Sequence, residues 1–167
     1  MSIFDQTIPQ DSLTPRERFA WPDGRYSADL IEVNQRTNET GWEGIAPTFG
    51  NAKTLADDSD TVEVEGKTVS LADRTIRDLY TTVNAPGKNP EAVRIGVERT
   101  IALAGSLGLA QKNGDGDLFF AAEDTEDAVS QLNGAAGLKR VGVTIFTPAG
   151  KDTRITQVFD LDRVETN

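Results

Sequence analysis

One stretch of this chain repeats apolar residues at helical spacing over several turns, and it constrains the fold more than any other feature. Val93, Val97, Ile101 and Ala104 recur on one stripe, widened by Leu103 and Leu107. Asn89 is a suitable N-cap, Pro90 fits the first helical position, and Glu91 suits the positive end of the helix dipole. Gly108 marks the end. The spacing therefore predicts one long helix that lays this stripe on a core, with Arg94, Glu98 and Arg99 off its central line.

The runs on either side have the shorter period of strands. Trp21-Pro22-Asp23-Gly24 reads as a turn that feeds a strand over residues 25–33. Tyr26, Ala28 and Leu30 share one face, then Ile31 and Val33 take the other. That switch predicts a bulge or a strong bend. Residues 42–49 form a second strand, weakened by Gly44 and Pro47, and the two make a hairpin. Residues 61–64 and 67–71 flank Glu65-Gly66 as a tight hairpin. Residues 74–83 fit helix or strand; the Tyr, Thr and Val content favours strand for 79–83. After the long helix, residues 113–117 form a turn, and residues 118–122 are either a strand or a plug over the core. Thr125 caps a second, shorter helix that buries Ala128, Val129 and Leu132. Residues 139–147 alternate cleanly, with Val141, Val143 and Ile145 on one face and Arg140, Gly142, Thr144 and Phe146 on the other. A turn over 148–152 leads to a returning strand. The expected class is mostly β with an α insertion (α+β), the helices preceding a final hairpin. Residues 1–20, polar and containing Pro9 and Pro15, read as a flexible arm with one helical turn started by Thr14 and Pro15. Residues 21–165 read as one domain.

Composition removes whole classes of chemistry. The 167 residues include no Cys and no His. Thiol catalysis, Cys-type metal centres and His-based triads are excluded, and the usual general base near neutral pH is missing. A binding protein is expected, not an enzyme, with no cofactor and no metal. The opening residues carry no basic start followed by an apolar run, and no stretch has the length of a membrane span, so a cytoplasmic location is expected. Residues 134–139 have the wrong glycine spacing for a phosphate loop and read as a helix end. Asn113, Asp115 and Asp117 open like a calcium loop, but Leu118 and Asp124 stand where its glycine and glutamate belong, so a plain turn is expected. The formal net charge is -10, yet residues 139–159 hold Lys139, Arg140, Lys151 and Arg154 against Asp152. Such a local basic segment suits a phosphate backbone, with Phe146 or Trp42 offering a stacking face; it equally suits a solvated hairpin balancing an acidic neighbour. Trp42 and Phe49 fit a core as well as a platform, and Trp21 reads as a packing anchor for the arm.

The succession of elements resembles a group of phage single-stranded-DNA-binding proteins with a diverged OB-fold and a helical insertion. The residues that carry the resemblance are Gly24-Arg25-Tyr26, the helix ending in Leu107-Gly108-Leu109, the run Gly137-Leu138-Lys139-Arg140-Val141-Gly142-Val143, and the turn at 148–152 with its closing strand. The segment between Phe49 and Thr75 is longer than such proteins need, and the C-terminus lacks a long acidic tail. The resemblance implies an OB-fold-like five-stranded barrel with one groove. Arg25, Arg36, Lys139, Arg140, Lys151 and Arg154 would contact phosphates, and Tyr26, Trp42 and Phe146 would stack on bases. It further implies protection of exposed strands in phage replication or recombination, as a homodimer or beside a recombinase or other replication proteins. Two other classes fit the -10 charge or the size: an acidic interaction module or inhibitor that mimics DNA, and a structural component of a virion.

Overall fold

The computed structural model describes residues 19–164, together with Asp5, Thr7 and a short 3-10 turn at Gln10–Leu13. The helical turn expected from Thr14 lies outside the described residues. From Gly24 the chain forms β1 (Gly24–Thr37), β2 (Glu43–Thr54), β3 (Thr61–Val64), β4 (Lys67–Ser70), β5 (Ile76–Arg77) and β6 (Tyr80–Val83). Then follow α1 (Pro90–Ser106), β7 (Gln111–Lys112), β8 (Leu118–Phe119), α2 (Thr125–Ala135), β9 (Val141–Phe146) and β10 (Arg154–Phe159). The class is mostly β with two helices, and no described helix is long and apolar enough to cross a membrane.

The main sheet runs β10-β9-β1-β2, with β5 and β6 both pairing the far side of β2. The pairings are antiparallel. β1 and β2 are long because two bulges let them bend over the core without ending. One bulge lies between Leu30 and Glu32, where the apolar alternation switches face; Ile31 turns outward while Leu30 and Val33 stay buried. Pro47 is tolerated inside β2 because it sits between the stretches paired with β5 and with β6. Its carbonyl still accepts from the Asp78 N–H at 3.0 Å.

The expected barrel does not close. β10 forms one edge of the sheet and β5 with β6 the other. α1 packs against both β6 and β10 and so occupies the place where they would have met. Gly96 permits this approach, since a Cβ there would collide with the Thr81 backbone. The buried face of α1 is accordingly Gly96, Thr100, Leu103, Ala104 and Ser106; of the predicted stripe its C-terminal part, Leu103, Ala104 and Leu107, is buried as expected, whereas Val97 is 39 % exposed. The caps agree with expectation. Asn89 Oδ1 accepts from the Glu91 N–H, and Gly108 turns left-handed at φ 82° while Leu109 N–H returns to the Ala104 carbonyl.

The core lies between the concave face of the sheet and the two helices. Tyr26, Leu30, Phe49, Tyr80, Leu103, Leu132 and Ile145 are among its largest fully buried members. α2 is capped by Asp124, whose Oδ1 accepts from the Asp127 N–H; Thr125, expected as the cap, is instead buried with its hydroxyl 2.9 Å from that of Thr82. The Asn133 carboxamide pairs with Val33 as a strand would, accepting from its N–H and donating to its carbonyl, both at 2.8 Å. That pair ties α2 to β1 beyond the end of the β9 pairing. Phe19, Trp21 and Tyr26 form an edge-to-face aromatic row in which Trp21 is buried. β3 and β4 make a separate hairpin through Glu65 and Gly66, both at positive φ. Residues 113–117 are the expected plain turn, with Asn113 Oδ1 accepting from the Asp115 and Asp117 N–H groups.

Candidate nucleic-acid interface

The face of β1, β9 and β10 turned away from the core carries a compact set of cationic and aromatic side chains. Cross-strand pairing defines it. Phe146 stands opposite Arg154; Thr144 stands between Arg25 and Gln157; Gly142 stands between Ser27 and Phe159. Ser27 in turn faces Lys53 on β2. Opposed residues share a face of a sheet, so these side chains emerge together. Phe146 is 44 % exposed, and Arg25, Arg154 and Gln157 are exposed. Among the described residues, Arg25, Lys53 and Arg154 reach no carboxylate within ion-pair distance. The Thr144 hydroxyl, enclosed in the middle of the face, has no hydrogen-bond partner.

Gly142 shapes this surface. A Cβ there would collide with the ring of Phe159, which packs directly over the β9 backbone at Gly142. The Arg25 guanidinium covers that ring at 5.4 Å from its centroid. Arg25 is thus oriented by an aromatic face, with no charge partner to neutralise it.

Several residues expected at the interface do other work. Tyr26 is 2 % exposed, and its hydroxyl donates to the Pro22 carbonyl at 2.6 Å. Burial, with the nearby Asp23 charge, pushes that hydroxyl above the ordinary tyrosine range. Tyr26 is core, because it shares a strand face with Ala28 and Leu30. Trp42 is half-buried: its ring lies over Gly44 and its Nε1 donates to Thr81 Oγ1 at 3.3 Å. Lys139 is paired with Asp160 at 3.1 Å and Asp162 at 2.9 Å. The Asp162 carboxylate, opposed by burial and aided by Asp160, holds its ammonium above the ordinary range. Arg140 reaches back to β1 and β2, donating to Ser27 Oγ and the Asn51 carbonyl and pairing with Asp29 at 3.2 Å. Asn51 is the positive-φ residue of the first bulge, so Arg140 serves to hold that bulge. Arg36 is exposed but lies eleven residues along β1 from Arg25, roughly 35 Å of strand. Lys151 lines a cleft with Glu63 and Glu65 of the β3–β4 hairpin.

The structure therefore brings together Arg25, Phe146 and Arg154 of the expected residues. It adds Lys53, Gln157 and Phe159, which the sequence reading missed. Parity with Val158 in the returning strand would have placed Gln157 and Phe159 on the outer face. Lys53 follows β2 through a bulge, and no sequence signal gave its register.

A separate cleft of about 360 Å³ lies between β6, α1 and α2. Its floor includes Val83, Val97, Ile101 and Phe120, and its rim carries Glu43, Glu123 and Asp124. The sign of that rim disfavours phosphate. Among the described residues no group of carboxylates is arranged to hold a metal ion. No protein-family model matches the sequence, and no curated protein is detectably similar to it.

Proposed function

We propose that the protein binds single-stranded DNA on the outer face of β1, β9 and β10, without strong sequence preference. The observation that carries this reading is the exposed Phe146 set against Arg154, on the same sheet face as Arg25 and, two strands away, Lys53, cations without carboxylate partners among the described residues in a chain of net charge -10. A strand is held in this way when bases stack on an aromatic face while cations follow the phosphates. The strand order β10-β9-β1-β2-β5, with α1 inserted before the last two strands, supports an OB-fold-like origin in which α1 takes the place of the closing contact. On that OB-fold-like reading, the loop between β9 and β10, which joins the strands that bear Phe146 and Arg154, corresponds to one of the two loops OB-folds use for binding. In this reading the protein covers exposed strands during phage replication or recombination in the bacterial cytoplasm, beside recombinase or replication proteins. Its role is binding, not catalysis.

A second reading has its own observation. Asp57, Asp58, Asp60, Glu63 and Glu65 stand on or beside the β3–β4 hairpin against Lys67 alone, which suits an acidic protein-interaction surface. Fluorescence anisotropy of labelled oligo-dT, at low and moderate salt with the matching duplex as control, separates the two. Salt-sensitive binding of the single strand is expected. No binding at low salt would sink the DNA reading and leave the acidic surface as the functional one.

A further inference from the structure

Beside Phe159 the interface runs into a slot at the seam between α1 and β10. The slot holds about 330 Å³ and is walled by Ala102 and Gly105 of α1, Ala110, Leu118 of β8 and Val158. It shares Phe159, Asp160 and Arg163 with a neighbouring hollow of about 390 Å³, which Arg25 and Gln157 border. The exposed face therefore continues from Phe146 and Arg154, past Gln157 and Arg25, into an apolar recess.

The charges around this recess are mostly positive. Lys112 and Arg163 line the slot, and Arg25 borders the adjoining hollow. Neither Lys112 nor Arg163 reaches a carboxylate within ion-pair distance among the described residues. The one lining carboxylate, Asp160, is committed to Lys139 and to the Asp162 N–H. The recess thus has apolar walls, an aromatic at its mouth and cations outside, in a molecule that is otherwise strongly acidic. That combination fits a planar heterocycle attached to a phosphate, and its volume falls in the range of small-ligand sites, roughly 300–1,000 Å³.

Resting on the DNA-binding reading, we infer that the slot between α1 and β10 receives one nucleobase of the bound strand, its phosphate held between Arg25 and Arg163. Bases elsewhere on the face would stack in the open; this one would sit in a half-open recess. The slot exists because α1, not a strand, adjoins β10, so it is a product of the open sheet.

The test uses two variants and two probes on the full chain. Ala102→Phe fills the slot, and Arg163→Ala, at an exposed position, removes a cation without touching the core. Oligo-dT affinity is read by anisotropy, and dTMP is titrated while the backbone amide resonances of Ala102, Gly105 and Ala110 are followed. Each variant is expected to weaken oligo-dT binding about tenfold, the scale of one stacked base. The dTMP titration is expected to shift those amides in the parent and not in Ala102→Phe. Parent binding of oligo-dT that both variants retain would overturn the slot and leave the DNA reading standing. Amide shifts with dTMP but no oligo-dT binding would overturn the DNA reading and leave a mononucleotide site. Neither response would overturn both.

Discussion

Asp78 and Tyr80 place two polar atoms, Oδ2 and the phenolic oxygen, inside the molecule with no hydrogen-bond partner. Burial pushes the Asp78 carboxyl above its usual range, opposed by the Leu79 N–H and the Arg99 charge from α1. Burial and the Asp78 charge push the Tyr80 hydroxyl well up as well. A raised carboxyl favours the protonated fold. Its contribution is complete below the unfolded value, about pH 4, and is lost as pH rises through the folded value. Asp78→Asn should therefore raise the melting temperature by a few degrees at pH 7–8, with the gain vanishing near pH 4 in a thermal melt series. At the interface, Phe146→Ala should weaken oligo-dT binding by about 1–3 kcal/mol, the range for one stacking platform. Tyr26→Phe should leave anisotropy unchanged and cost about 1 kcal/mol of stability through its lost hydrogen bond. The contrast between these aromatics was legible: Phe146 alternates against Val141, Val143 and Ile145, whereas Tyr26 alternates with Ala28 and Leu30. The neutralisation of Lys139 and Arg140 was not legible. Lys139 meets its Asp160 carboxylate from 21 positions away and Arg140 meets Asp29 from the other end of the domain, and only the folded sheet brings them close.

α1 divides the information in the same way at the scale of an element. Its limits are local chemistry, an Asn cap at one end and a left-handed glycine at the other, and both could be read directly. Its orientation is tertiary. The stripe through Val93, Val97 and Ile101 has the strongest apolar period, yet the helix buries Gly96 and Thr100 because only a face without a Cβ at Gly96 lets it reach the β6 backbone. Close approach there outweighs side-chain area, and Val97 and Ile101 are left lining the acidic-rimmed cleft. Gly96→Ala should consequently destabilise the protein by about 1–3 kcal/mol in urea unfolding, although alanine is the better helix former by about 1 kcal/mol. Val97→Ala should cost less than about 1 kcal/mol, since much of that side chain already faces water. The reverse ranking would mean that the predicted stripe, not Gly96, seats the helix. The open sheet follows from the same contact: sequence order alone could suggest five strands and a barrel, but not that a helix would stand between the last two edges.

For the whole molecule, the net charge of -10 and the proposed ligand have the same sign, so the affinity must come from a local field. Arg25, Lys53 and Arg154 on the open face, with Arg163 sharing the phosphate of Arg25 at the slot, would hold three phosphates, because Lys139 and Arg140 are already occupied by Asp160, Asp162 and Asp29. Counterion release from a single strand contributes about 0.7 to the log–log salt slope per neutralised phosphate, so three contacts give a slope of about -2. Arg154→Ala should flatten the slope by about 0.7. Phe146→Ala should lower affinity at every salt concentration with the slope unchanged, because stacking releases no ions. Lys139→Ala should leave the slope as it is and appear instead as lost stability. With no His in the chain, the affinity should also stay flat across neutral pH. A slope much steeper than -2 would require further phosphate contacts, from cations outside this set such as Lys112 beside the slot or from Lys139 and Arg140 after a rearrangement of the Asp160 or Asp29 pairs on binding. A slope near zero, with binding retained, would assign the affinity to Phe146 and the apolar slot beside α1.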